Sequence, residues 1–243
     1  MIVAESLGKE FRDKNRGLIH AVENLSFRCT PGQVYGLLGA NGAGKTTALR
    51  LLATILAPTS GTATVAGFDI RREPEKARRC LGFLSTATSL YGRLTALEMV
   101  EYFGCLYGLD SATVRQRTLT LFERLDVNAF RDRRCEDLST GMKQRVSIAR
   151  TLVHDPPVMI FDEPTSGLDV ISARTIVAFI HECRQSGKTV VFSTHVMSEA
   201  EKLCDIIGII HNGRLLAEGS LPELRARYGH EDLEEIFMQV VAA

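Results

Sequence analysis

The sequence has no apolar run approaching the ~20 residues that a membrane-spanning helix requires, so any membrane role needs a partner that supplies the span. It has no CxxC pair and no set of histidines at zinc-ligand spacing. Its six cysteines, Cys29, Cys80, Cys105, Cys135, Cys183 and Cys204, are scattered, which argues against a zinc site or a disulfide framework and marks them as reduced core thiols. No charge is in excess: 29 Lys and Arg balance 29 Asp and Glu, so no global field draws the chain to nucleic acid or an anionic membrane, and no nucleic-acid partner is expected. The basic runs within 71–79 and 131–134 read as solvated helix faces. The opening "MIVAESLGKEF" lacks the basic start and apolar stretch of a signal peptide, which makes a cytoplasmic location the expectation. Repeats, low-complexity segments and interdomain linkers are also missing.

What is present describes a globular chain. Hydrophobic residues make up 45% and charged residues 24% of 243 positions, enough to bury a substantial core. Residues 2–7 and 21–29 alternate apolar and polar positions, as strands with one wet face do, and "TPGQ" follows as a turn. "VYGLLG" is a nearly continuous apolar run that suits a strand buried on both faces, and a glycine-rich loop and the helical pattern "KTTALRLLATIL" come directly after it. The segment 74–155 changes to helical periodicity, with Thr95 and Glu98 at capping-box spacing. "VMIFDE" and "TVVFSTH" are short apolar runs separated by a helical pattern, as parallel strands are. Asn212 and Gly213 sit between two apolar runs and predict a hairpin, followed by a short amphipathic helix; this C-terminal part spans 206–243. The reading is one α/β domain over 1–243: a P-loop NTPase core with a mostly parallel sheet, an N-terminal antiparallel β-subdomain and an inserted α-helical subdomain.

Three stretches carry chemistry. In "GANGAGKTT", Gly39, Ala40, Asn41, Gly42, Ala43, Gly44, Lys45, Thr46 and Thr47 match the P-loop pattern in its required strand–loop–helix setting. The glycines let backbone N–H groups converge on phosphate oxygens, Lys45 supplies a cation, the helix start adds its positive dipole end, and Thr46 offers a hydroxyl to Mg²⁺. In "VMIFDEP", Asp162 and Glu163 emerge at the carboxyl end of a buried strand; Asp162 would hold Mg²⁺ and Glu163 would polarise the water attacking the γ-phosphate of ATP. His195 closes "TVVFSTH", and in a parallel sheet it reaches the same edge as a positioning or sensing group.

Together with "LSTGMKQR" and "SGLD", these motifs in this order resemble the ATP-binding subunit of ABC transporters across essentially the whole chain. The resemblance implies an ATPase that dimerises head to tail around two ATP molecules, as a homodimer or with a homologous subunit, and drives a polytopic membrane permease from the cytoplasmic face. It implies that Ser139 and Gly141 address the γ-phosphate held by the opposite subunit, that Asp169 communicates across the dimer, and that Phe11 lies against adenine. Phe11 serves equally well as a core residue on its own pattern. The signature departs from LSGGQ at Thr140 and Met142, and Met142, Val146, Ala149 and Leu152 also recur as the core face of an ordinary helix. Thr86 stands where the family has a glutamine, and the metal contact of that glutamine is not carried over to its shorter hydroxyl side chain. The subfamily similarity is to exporters with separate membrane subunits, especially sodium-extrusion systems. A soluble ABC ATPase of cofactor assembly, translation or DNA maintenance is the alternative.

Overall fold

The computed structural model describes residues 1–13, 17–85 and 89–242. Two sheets organise these residues. In the first, β1 (Ile2–Asp13) pairs antiparallel with β2 (Gly17–Cys29) on one side and with β4 (Ser60–Val65) on the other, and β4 carries the short β5 (Phe68–Asp69). This is the expected antiparallel layer, with β2 reaching further back than residue 21.

The second sheet is built from β3 (Val34–Leu38), β6 (Leu81–Leu84), β7 (Val158–Asp162), β8 (Thr189–Thr194), β9 (Ile206–His211) and β10 (Arg214–Gly219), in the order β10-β9-β3-β8-β7-β6. All neighbours run parallel except β9 and β10, which form the hairpin predicted at Asn212 and Gly213. Every residue of β3, β7 and β8 is buried. The two-residue period of a strand explains how: Val158, Ile160 and Val191 enter one core with β1, β2 and β4, while Met159, Phe161, Val190 and Phe192 enter another with the helices. Each such side chain contributes about 1.5–3 kcal/mol by leaving water, which fixes the register of these strands.

Helix α1 (Lys45–Leu52) packs beneath the first sheet. Within the segment expected to be helical, 74–155, lie α2 (Pro74–Arg79), α3 (Ala96–Leu106), α4 (Ser111–Arg124) and α5 (Thr140–Leu152). The same segment contains β6, whose apolar "LGFL" pairs with β7 inside the central sheet, so the helical layer proper follows it. The capping box is formed: Glu98 N–H donates to Thr95 Oγ1 at 3.1 Å and Thr95 N–H to Glu98 Oε2 at 2.8 Å. The chain closes with α6 (Val170–Gln185), α7 (Met197–Leu203), α8 (Leu221–Tyr228) and α9 (Leu233–Ala242); Leu233, Ile236, Phe237 and Val240 of α9 pack with Leu38, Ile207 and Ile209. Among the described residues no helix is long and apolar enough to cross a membrane. The six thiols are unpaired, but Cys105 is exposed on α3 and is not a core residue.

Candidate nucleotide-binding and hydrolysis site

Parallel pairing sets the site. Leu38 at the end of β3 lies opposite Thr194 of β8, and Asp162 at the end of β7 lies opposite Ser193. The loops that leave these three strands therefore start side by side at the carboxyl edge of the sheet, where open α/β sheets bind ligands.

The loop from Gly39 to Gly44 turns β3 into α1. Space and backbone angle both demand glycine at its ends: a Cβ on Gly39 would lie 2.4 Å from Ile210 O, and Gly44 has φ +107° with a Cβ position 2.4 Å from Ala21 O. α1 begins at Lys45 with no acidic residue in its first turn, leaving its N–H groups and positive end to an anion. Asn41, Gly42, Ala43, Gly44, Lys45, Thr46 and Thr47 line a cavity of about 380 Å³. Ile19, His20, Ala21, Glu163, Asn212 and Gly213 complete its wall. Lys45 is 4% exposed; its ammonium donates to Gly39 O at 2.7 Å and Ala40 O at 3.1 Å and lies 3.3 Å from Glu163 Oε1.

Asp162 is 1% exposed. Its Oδ1 accepts from Thr46 Oγ1 at 3.1 Å and from Ser193 Oγ at 2.7 Å, while its Oδ2 is buried with no hydrogen-bond partner among the described residues. An orphaned carboxylate oxygen in a core is costly. Beside the Thr46 hydroxyl it forms a hard oxygen donor set of the kind that Mg²⁺ takes, so these residues fit the ion. Glu163 follows in a left-handed backbone conformation, φ +48°, with its N–H donated to Ser193 Oγ at 3.0 Å. A non-glycine residue at that angle is held there by its surroundings. His195 Nδ1 lies 3.3 Å from the same Glu163 Oε1 that faces Lys45. Lys45, Thr46, Asp162, Glu163 and His195 are thus gathered at one edge.

Ser139, Gly141 and Asp169 form a second group that does not line this cavity. Ser139 caps α5, accepting Met142 N–H at 3.3 Å. Asp169 caps α6, accepting from the N–H groups of Ile171 at 3.0 Å and Ser172 at 2.9 Å and from the Ser172 hydroxyl at 2.8 Å. The Ser172 N–H bond leads a set of bonds that holds its carboxyl below the ordinary carboxylate range. A Cβ on Gly141 would stand 2.3 Å from Ser172 Oγ, so the small residue of the signature is what allows α5 to approach α6. Gln144 Nε2 donates to Pro164 O at 2.8 Å, tying α5 to the loop after Glu163. Met142 packs against the helical core, so the residue replacing the signature glutamine serves the helix.

Phe11 pairs with Ile19 across β1 and β2, is 39% exposed, and does not line the cavity; Ile19 does. Lys9 Nζ stands 5.3 Å from the Phe11 ring centre. Thr86 lies outside the described residues. Two parts of the site escape a reading by motif. Ser193, buried at 0% exposure, bridges Asp162 and the Glu163 N–H; its only signal is its place before His195 in "STH". The Asn212–Gly213 turn reaches the phosphate loop from far along the chain: Gly213 N–H donates to Ala43 O at 2.9 Å and Glu23 N–H to Gly213 O at 2.8 Å.

A parallel sheet that ends in a glycine loop, a buried lysine and a strand-end Asp–Glu pair defines a P-loop ATPase. The chain belongs to the ABC transporter family, whose pattern matches residues 22–166, and it is an ATP-binding and ATP-hydrolysing subunit of that family. It is similar to the ABC transporter ATP-binding protein NatA of Bacillus subtilis, with 41% identity covering 98% of this chain and 97% of that protein. It is also 40% identical to Nod factor export ATP-binding protein I of Paraburkholderia xenovorans, covering 92% of this chain and 74% of the relative. Its fold is like that of a dimeric ATP-binding cassette solved in a post-hydrolysis state with ADP and Pi, with TM-score 0.82 and 27% identity over 90% of this chain and 98% of that one.

Proposed function

We propose that this subunit powers export through a separate membrane permease, docked on the cytoplasmic face, by closing head to tail with a second copy or a homologous subunit around two ATP molecules. One observation carries the reading. Ser139 caps α5, and Gly141 in its first turn packs against Ser172 and Asp169, yet none of these lines its own phosphate cavity, so this small, capped helix start is available to the nucleotide of another subunit. The dimeric cassette with ADP and Pi supports this arrangement. The Nod factor export relative supports the direction of transport, and the likeness of "STHVMSEAEKLCD" and "IIHNGRLLAEGS" to sodium-extrusion systems makes Na⁺ the first cargo to test.

In this reading the glycine loop and the α1 N-terminus bind the phosphates of ATP, and Lys45 leaves Glu163 for the γ-phosphate. Thr46 and Asp162 would hold Mg²⁺, which when bound neutralises charge on the phosphates. Glu163 accepts the proton of the attacking water, with His195 orienting its carboxylate. The partner's Ser139 and α5 start close the site and exclude water, so hydrolysis and product release govern reopening.

The test is the oligomeric state of Glu163→Gln. It removes the base and keeps the shape, so the purified variant in saturating Mg-ATP should run as a dimer by light scattering while the nucleotide-free variant runs as a monomer. A variant that stays monomeric at high concentration with ATP bound would refute the closure mechanism. Co-purification of the wild-type subunit with a polytopic membrane protein, and Na⁺ efflux from cells that carry both, test the export role.

A further inference from the structure

Hydrogen bonds outside the phosphate cavity join the two loops that carry Glu163 and His195. Thr165, two residues after Glu163, donates its hydroxyl to Glu199 Oε1 at 2.5 Å. Thr194, directly before His195, donates to Glu199 Oε2 at 2.8 Å, and its oxygen also accepts Val196 N–H at 3.0 Å. Both threonines are buried, at 9% and 2% exposure. One carboxylate of α7 therefore grips both loops, with one oxygen for each. Glu199 lines no part of the cavity, and among the described residues no cation pairs with it. A half-buried carboxylate satisfied by hydroxyls alone is a poor choice for packing, since a neutral side chain would fill the space without the desolvation cost.

We propose that Glu199 is a positioning residue for hydrolysis: by clasping Thr165 and Thr194 it fixes the distance between Glu163 and His195. The inference rests on the roles proposed above for those two residues. Glu163 holds a left-handed backbone angle that relaxes unless its neighbours are fixed on both sides. Ser193 fixes the Glu163 N–H, and the Glu199 clasp fixes the chain two residues further on. With the clasp open, the carboxylate drifts from its 3.3 Å approach to His195, and a misplacement of ~1 Å costs up to about 100-fold in rate.

The test compares kcat, Mg-ATP affinity and melting temperature in four variants of the full chain, assayed with its membrane partner. Thr165→Val keeps the volume and loses the hydroxyl; Glu199→Leu loses both acceptors. Each should lower kcat about tenfold or more while Mg-ATP affinity stays within about twofold. Thr165→Ser and Glu199→Gln, which retain a hydroxyl or an accepting oxygen, should stay within about threefold of wild type. Folded Thr165→Val and Glu199→Leu with wild-type kcat would overturn the proposal, and so would a parallel loss of kcat and affinity, which is the mark of a damaged fold. If Glu199→Leu does not fold, Thr165→Val decides. Glu163→Gln run alongside separates the two ideas: full hydrolysis by that variant defeats the assignment of the base, whereas its loss together with unaltered clasp variants defeats only the clasp.

Discussion

Lys45 Nζ lies 3.3 Å from Glu163 Oε1, with both groups largely withdrawn from water. In the proposed mechanism this cation turns to phosphate and this carboxylate to water, so a bound nucleotide would separate the pair. Removing either partner should therefore act differently on binding. Lys45→Ala should weaken Mg-ATP about 10–100-fold through loss of charge-assisted hydrogen bonds. Glu163→Gln should bind at least as tightly as wild type, because a negative charge beside the phosphates is gone, and lose hydrolysis about 100-fold or more. Titration calorimetry of the two variants checks both signs.

Ser193 bridges Asp162 and Glu163, the metal ligand and the base of the proposed mechanism. Its hydroxyl donates to Asp162 and accepts the Glu163 N–H, so Ser193→Ala leaves the amide without its buried acceptor. The variant should lose about 1–3 kcal/mol of stability by urea unfolding and about tenfold in kcat. Ser193→Thr, with its hydroxyl retained, should fall between.

Gly141 tests how the signature is supported. A methyl there meets Ser172 Oγ at 2.3 Å and pushes it off Asp169 Oδ2. Gly141→Ala should keep ATP binding to the monomer and lower hydrolysis about tenfold. Since it already breaks the Ser172 bond, adding Ser172→Ala should cost little more, giving a coupling energy of about 0.5 kcal/mol or above in a double-mutant unfolding cycle.

His154 gives the fold a pH dependence. Burial pushes its pKa down from 6.5 to about 4; the ring stacks on Tyr107 with centres 3.7 Å apart, its Nε2 is 3.2 Å from Leu81 O, and its Nδ1 has no partner among the described residues. The unfolded chain binds this proton first, so stability is complete above pH 6.5 and falls as pH drops toward 4. Between pH 7 and pH 5 the loss from this residue should be roughly 2 kcal/mol. His154→Phe keeps a stacking ring and removes the titration; urea unfolding at the two pH values should show the smaller loss in the variant by about that amount.

How much of this is legible before folding depends on whether a residue's role is local. The P-loop is local: glycines, lysine and threonine within nine positions make both the turn and the helix start, so their chemistry and backbone angles are written together. The same holds for Thr95 with Glu98 and for Asn212 with Gly213, where a cap and a turn depend on neighbours in sequence. Phe11 shows the limit, because its own pattern suits a core position as well as a ring beside adenine; only the register sets it directly across from Ile19, a wall of the cavity, and leaves it 39% exposed. Ser193 and Glu199 carry no motif of their own and meet Asp162 and Thr165 only through the fold, and the contact of Gly213 with Ala43 is likewise no part of its hairpin signal.

The sequence by itself determined the class of the chain, the phosphate loop, the Asp–Glu pair, the capped signature helix and the two-faced burial of the central strands, because each follows from composition and short-range period. Only the tertiary structure decided which groups meet: Lys45 with Glu163, Asp162 with Ser193, Glu199 with two threonines, and Gly141 with Ser172. Those meetings are set by parallel register and by the closeness of helix approach, and such long-range distances are fixed by the packing of the whole core and by no single stretch of it.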